Sequence, residues 1–251
     1  MLSASLKKFV KSLHQKKFRE QEQLFIVEGE KNVLELLFNS THRVKHLFCT
    51  NDFLVAHPKL DRFDPIICKA QDLEQMGTFM TNDAALAVGH IPNQTDPLSH
   101  ELKGLVLALD GVRDPGNMGT IIRLADWFGC SAILCSPDCV DVYNPKVLNA
   151  SMGSYLRVKI YYCELEQLIR RSGNTSVSAE LGGSSLYQFK FPENGILLLG
   201  NESKGVSDSL SAIVNNKIAI PRYGGAESLN VGMAAAVLLS WWRGQIALHH
   251  P

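Results

Sequence analysis

Six short apolar strand candidates recur after residue 104: LVLALD, SAILCS, RVKIYY, SVSAE, GILLLG and KIAIP. Segments of helical pattern lie between them. Continuous apolar strands that alternate with helices specify a parallel sheet covered on both faces. Ligands of such sheets lie beyond the carboxyl ends of the strands. Three polar, glycine-bearing loops occupy those ends here: 110–119, 200–206 and 221–228.

A different pattern precedes them. A basic helix is expected near Ser3–His14, a strand at Leu24–Val27 and a helix at Glu30–Phe38. Strands follow at Val44–Cys49, Ile66–Lys69 and Ala85–His90, which makes a small α/β domain. The segment HIPNQTDPLSHELKG, His90 to Gly104, carries two prolines and few apolar residues and reads as a linker. The expected division is residues 1–98, a linker at 99–103, and residues 104–251. A chain of 251 residues has room for two small domains.

Net charge is zero, so no global field drives the chain onto a polyanion. Locally the balance differs: Lys7, Lys8, Lys11, Lys16, Lys17 and Arg19 occur in residues 1–19 without an acid. Basic, serine-containing and acid-free also describes a mitochondrial presequence. The stretch nevertheless runs without a break into the patterned LFIVEGEKNVLELL, and is read as part of a cytoplasmic fold. Six cysteines without small-domain spacing read as reduced thiols. Cys135 and Cys139 lack a second pair or a histidine at zinc spacing, so no metal is expected. The most apolar stretch, Leu229 to Trp242, is too short to span a bilayer.

The loop in LLLGNESKGVSDSL resembles a phosphate-binding P-loop from Gly200 to Gly205. Val206, however, stands where the phosphate-gripping lysine belongs, and Glu202 would repel a polyphosphate. In LDGVRDPGNMGTIIR, Gly111, Gly116 and Gly119 miss the dinucleotide spacing G-x-G-x-x-G. Taken alone, Asn117 reads there as a helix N-cap and Arg123 as a surface ion-pair partner. In AIPRYGGAESLNVGM, Ser228 reads as the cap of the last helix, with Asn230 supplementing it.

In order and at these separations, the three loops resemble the signature motifs of the SpoU (TrmH-type) RNA 2′-O-ribose methyltransferases of the SPOUT superfamily. The first matches as Asp114-Pro115-Gly116-Asn117 with Arg123, the second as Gly200-Asn201-Glu202 with Gly205. The third matches as Ile220-Pro221 followed by Ser228-Leu229-Asn230. FIVEGEKNVLELL is similar to the family's amino-terminal substrate-binding domain, of ribosomal-protein-L30e type.

The resemblance implies a parallel α/β sheet with a deep trefoil knot that holds S-adenosylmethionine, after a smaller L30e-like α/β domain. It implies cofactor contacts from Leu199, Gly200, Asn201, Gly205, Ile220, Ser228 and Leu229. Asn117, Arg123, Glu202, Ser228 and Asn230 would be catalytic, with no metal. An arginine is a poor base because its guanidinium stays protonated. Arg123 is therefore expected to clamp the RNA phosphate beside the reacting ribose, with Glu202 holding Arg123 or Asn117. One departure stands out: Asn149 occupies a position where the family frequently has arginine, and Lys146 and Arg157 are the nearby cations that could replace it.

The implied activity is S-adenosylmethionine-dependent 2′-O-methylation of structured RNA, with 23S rRNA favoured over tRNA. The acid-free basic start (Lys7 to Arg19) would read RNA through its phosphates. The chain is expected to form a homodimer through its carboxyl-terminal domain, burying the apolar last helix with Trp241 and Trp242. Two alternatives stay open: a tRNA methyltransferase, and a non-catalytic RNA-binding or ribosome-assembly factor on the same fold.

Overall fold

The structure is a computed structural model that describes residues 2–93 and 102–249. Residues 94–101 of the expected linker lie outside the described residues. Two compact units divide the chain: Met1–Asn93 with Asp141–Leu156, and Gln94–Val140 with Arg157–Pro251.

The first unit runs α1 (Ala4–Ser12), α2 (Lys16–Glu22), β1 (Leu24–Glu28), α3 (Glu30–Phe38), β2 (Val44–Cys49) and α4 (Asn51–Ala56). A 3₁₀ turn (Pro58–Phe63), β3 (Ile66–Ile67), α5 (Ala70–Met76) and β4 (Ala85–His90) follow. The strands form one sheet in the order β1-β4-β2-β3, antiparallel except for the short β2–β3 pair. Successive strand residues point to opposite faces. Leu24 and Ile26 of β1 therefore share one face with Phe48, Leu86 and Val88. They pack there against Val10 and Leu13 of the α1 region and Leu73 and Met76 of α5.

The second unit contributes β5 (Leu105–Leu109), α6 (Pro115–Trp127) and β6 (Ala132–Cys135). The chain then passes through α7 (Pro145–Ser151) to β7 (Ile160–Tyr162), α8 (Leu165–Ser172), β8 (Thr175–Ser185) and β9 (Gly195–Leu199). It ends with α9 (Asp208–Ser211), β10 (Asn216–Ala219) and α10 (Val231–His249). Six strands make an all-parallel sheet in the order β10-β8-β9-β5-β6-β7. β5 and β9 lie inside the sheet and are buried at every position, as helix-covered parallel strands must be. Val106, Ala108, Ile196 and Leu198 share a core with Leu165, Leu168 and Ile169 of α8.

Asp141–Leu156 sits in the second half of the sequence but packs with the first unit. Its Tyr143 and Tyr155 rings lie 4.8 Å and 6.0 Å from Phe25, which faces away from the α1 and α5 side of the sheet. A division at residue 104 does not contain this excursion. The segment is tied down by Arg19, which is only 2% exposed. Its guanidinium donates to the Leu13 and His14 carbonyls at 2.9 Å and 2.8 Å, and to Asp141 at 2.9 Å and 2.6 Å. Arg19 was expected to meet RNA; it is instead a buried structural residue, because its donors are committed inside the fold.

Trp242 is likewise core and not interface. It is fully buried, and its indole N–H donates to the Pro192 carbonyl at 2.8 Å. Among the described residues, no helix is long and apolar enough to cross a membrane.

Candidate active site at the carboxyl ends of the strands

Because the sheet is parallel, β5, β9 and β10 deliver their following loops to one edge. Each loop is shaped by a local rule. After β5, Asp114 caps α6 by accepting from the Asn117 amide at 2.8 Å, and Pro115 takes the first helical position, where a missing N–H costs nothing. Asn117 is therefore in the first turn and not the cap, which frees its side chain. Ser136 receives the Gly111 amide at 2.9 Å and donates to Asp138, which also pairs with Arg113. The Ser136 bond, and then Arg113, hold the Asp138 carboxyl below the usual carboxylate range.

After β9 the chain doubles back on itself. Asn201 and Gly205 exchange both backbone hydrogen bonds, at 3.0 Å and 2.9 Å. A Cβ at Gly200 would collide with the backbone at Gly205–Val206, and Gly205 has φ +70°, so both positions call for glycine. The Asn201 carboxamide accepts from the Ser203 and Lys204 amides and donates to the Gly111 carbonyl. Asp110 accepts from the Ser207 amide at 2.7 Å. The amides at 201, 203, 204, 205 and 207 are thus all engaged within the protein. A P-loop aims such amides at phosphate oxygens; this loop has none of these left to aim.

After β10, Asn230 caps α10, accepting from Gly232 at 2.9 Å and Met233 at 3.3 Å. This corrects the expectation that Ser228 is the cap. Ser228 is exposed and makes no side-chain hydrogen bond among the described residues. Ile220 and Pro221 line a cavity of about 450 Å³ with Ala219, Arg222 and Leu181, Gly183 and Ser185 of β8. Leu199 is buried and its carbonyl takes the Asp110 amide, whereas Leu229 is 53% exposed.

The three loops meet through side chains. Asn230 Nδ2 donates to Asn117 Oδ1 at 2.8 Å, and Asn117 Nδ2 donates to Glu202 Oε1 at 2.7 Å. The direction of this relay follows from its ends. Backbone donors turn the Asn230 oxygen toward α10, so only its N–H₂ can face Asn117; the Glu202 carboxylate at the far end can only accept. Asn117 fits one way round. Arg123, under two turns further along α6, is exposed and has no ion-pair or hydrogen-bond partner among the described residues. The partner of Glu202 is Asn117, not Arg123.

Sequence reasoning singled out neither Asp110 nor the capping role of Asp114. For Asp114 the signal was present, since Asp-Pro before an apolar run is a cap followed by its first helical residue. Arg157, a candidate to replace the missing arginine at Asn149, is committed to Asp126 at 3.0 Å and 2.8 Å. Lys146 remains exposed on α7.

The site has an anion-seeking guanidinium, a polar relay and a loop unsuited to phosphate, with a cavity between β8 and the loop after β10. The profile of the SpoU rRNA Methylase family matches residues 104–240, and that of the MRM3-like substrate binding domain matches residues 7–86. The 23S rRNA (guanosine(2553)-2′-O)-methyltransferase RlmP of Bacillus subtilis is 29% identical over 93% of this chain and 94% of its own length. A solved structure assigned to the TrmH family of RNA methyltransferases, from Porphyromonas gingivalis, is 38% identical. It superposes with a TM-score of 0.86 and covers 98% of this chain and 99% of that one. An AdoMet-bound rRNA methyltransferase from Sinorhizobium meliloti is 28% identical at a TM-score of 0.86, over 98% and 97%.

Proposed function

The chain belongs to the SpoU rRNA Methylase family, and from that premise we propose that it methylates a ribose 2′-hydroxyl of 23S ribosomal RNA in the cytoplasm, with S-adenosylmethionine as donor. It is an RNA 2′-O-methyltransferase of SPOUT α/β fold with an amino-terminal substrate-binding domain. The 23S target rests on its likeness to the Bacillus subtilis enzyme.

The cofactor fits the residues present. The cofactor carries no phosphate, and in the turn at Gly200–Gly205 the amides of Asn201, Ser203, Lys204 and Gly205 are turned inward. In this reading Leu199, Gly200, Asn201, Gly205, Ile220, Ser228 and Leu229 hold it. When bound, S-adenosylmethionine supplies an electrophilic methyl group.

The chain's own groups supply alignment. Asn230, Asn117 and Glu202 lock the three loops in one geometry, and that relay is the observation that carries the proposal. Arg123 grips the phosphate next to the reacting ribose with its guanidinium. The 2′-hydroxyl would lose its proton to that phosphate or to solvent and take the methyl group as the S–CH₃ bond breaks, with S-adenosylhomocysteine as the neutral leaving group. Positioning of this kind accounts for much of the barrier reduction in such transfers.

RNA recognition falls to residues 1–98 in this reading. Lys8, Lys11 and Lys17 are exposed, whereas Lys7 engages Asp72 and Lys16 lies 3.6 Å from Glu20. The active form is a homodimer through the exposed α10 stripe Met233, Val237 and Trp241, at 62%, 37% and 38% exposure. These residues recur every four positions and so share one helix face.

Arg123→Ala tests the assignment. Cofactor affinity by calorimetry should stay within about twofold, while methyl transfer to 23S rRNA drops on the order of 100-fold, as when a charge-stabilising donor is lost. A large loss of cofactor affinity with near-normal turnover would sink it. Transfer to tRNA and not to rRNA would replace the substrate.

A further inference from the structure

Strand β2 carries an irregularity that the proposed reaction does not explain. Val44 pairs with Gly89 and His46 with Val88, which are neighbours on β4, so Lys45 is an extra residue in a β-bulge. A bulge breaks the two-residue alternation and re-aims one side chain. Here the re-aimed chain is Lys45, whose Nζ stands 5.4 Å from the centroid of the Phe9 ring on α1. Lys45 is exposed and has no carboxylate partner among the described residues.

Phe9 sits at the margin of the apolar face of α1. At 100° per residue, the flank beside it carries Ser5, Lys8 and Ser12. The bulge therefore brings a lysine from the sheet alongside the flank of α1 that carries Lys8, far away in sequence. The ring holds the ammonium by cation–π attraction without neutralising it, as a carboxylate would. Lys7, by contrast, is engaged by Asp72, whose carboxyl is held below its usual range chiefly by that bond.

We propose that Lys45, steadied on Phe9, grips the RNA backbone phosphates together with Lys8, so that the RNA-reading ridge of the first unit spans α1 and the bulged strand. This rests on the RNA reading of the previous section. A rival account exists in the same geometry. β3 pairs only with Phe48 and Cys49, which leaves the first half of β2 with an open edge. A bulge and a lysine on an open edge also discourage pairing between copies. The two accounts differ in what Lys45→Gln does.

The test measures binding of full-length protein to transcribed 23S rRNA across a salt series, beside calorimetry with S-adenosylhomocysteine. For Lys45→Gln, affinity near 0.1 M salt should fall about five- to tenfold and the log–log salt slope by about one, the signature of one lost phosphate contact. KM for RNA should rise with kcat and cofactor affinity unchanged. Lys45→Arg should restore binding, and Phe9→Leu should give an intermediate loss, since it removes the ring but keeps apolar bulk. Unchanged affinity and slope in Lys45→Gln would overturn the proposal. So would new self-association of that variant with RNA affinity intact, which marks an edge guard. If the wild-type chain itself fails to bind the RNA, the functional reading falls, not the role of Lys45 alone.

Discussion

Asn230 does two things at once, and a single isosteric change separates them. Its oxygen caps α10 and its N–H₂ feeds the relay to Asn117 and Glu202. Asn230→Asp keeps an oxygen for the cap, and aspartate caps as well as asparagine. A negative charge at a helix amino terminus adds about 0.3–1 kcal/mol in its favour. What Asp lacks is the N–H donor. Its second oxygen would face Asn117 Oδ1; if the Asn117 amide turned over, its oxygen would face Glu202 instead. Either arrangement replaces a hydrogen bond with an oxygen–oxygen contact. The exposed loops relieve that contact by parting, so the cost falls on their alignment and not on the fold; misalignment worth about 2 kcal/mol in the transition state is roughly 30-fold in kcat/KM. Asn230→Ala loses cap and relay together, costing about 1 kcal/mol of stability and about 2–4 °C in melting temperature. Calorimetric melting and transfer of radiolabelled methyl to rRNA read both quantities. The expected pattern is an Asp variant that melts like wild type and transfers poorly, beside an Ala variant impaired in both. An Asp variant with wild-type transfer, or one that melts as low as Ala, would refute the division of labour.

Gly200→Ala should weaken cofactor binding at least about tenfold by calorimetry, since displacing the Gly205–Val206 backbone by even 1.4 kcal/mol has that effect; unchanged affinity would mean that the turn does not shape the site. Arg19→Ala should cost about 3 kcal/mol in denaturant unfolding, because Asp141 and two carbonyls lose a buried partner. Asp141→Ala should be less than additive with it, and strict additivity would show that the pair does not act as a unit. Met233→Glu combined with Val237→Glu should turn a dimer into a monomer by light scattering, and a wild-type monomer at micromolar concentration would remove the premise.

Where apolar pattern decided the structure, the sequence was readable. The strands at Val44–Cys49 and Ala85–His90 and the helix Glu30–Phe38 have the expected bounds, because their burial is set by residues within the element. The motif loops were readable as a set through the family resemblance. Their internal wiring was not, since a hydrogen bond between Asn117 and Asn230 spans more than a hundred residues and leaves no local trace. Short-range rules also competed. Ser228 and Asn230 are both good caps, and only the position of Val231 as the first helical residue decides between them. Charge was the most misleading signal. Lys7, Arg19 and Arg157 read as free cations in composition, yet each has an acid brought to it from a distant segment: Asp72, Asp141 and Asp126. Lys45, flanked by ordinary strand residues, was invisible until the bulge singled it out.

The return of Asp141–Leu156 to the first unit sets an order of events during synthesis. On the face of β1 that carries Phe25, the His42 ring at 5.9 Å lacks its two tyrosine companions until Tyr143 and Tyr155 exist. After Asn93 is made, about 60 more residues must be added before the first unit has all its parts. At roughly 5–20 residues per second that is on the order of 3–12 s, plus the time for the segment to clear the exit tunnel. During that interval β5, α6 and β6 are made, so the two units cannot mature one after the other. A ribosome stalled near residue 140 should hold an amino-terminal unit more open to protease than one stalled past residue 200. The same interleaving means that a chain begun near residue 100 would carry an orphaned stretch of buried side chains, Val147, Leu148 and Tyr155 among them.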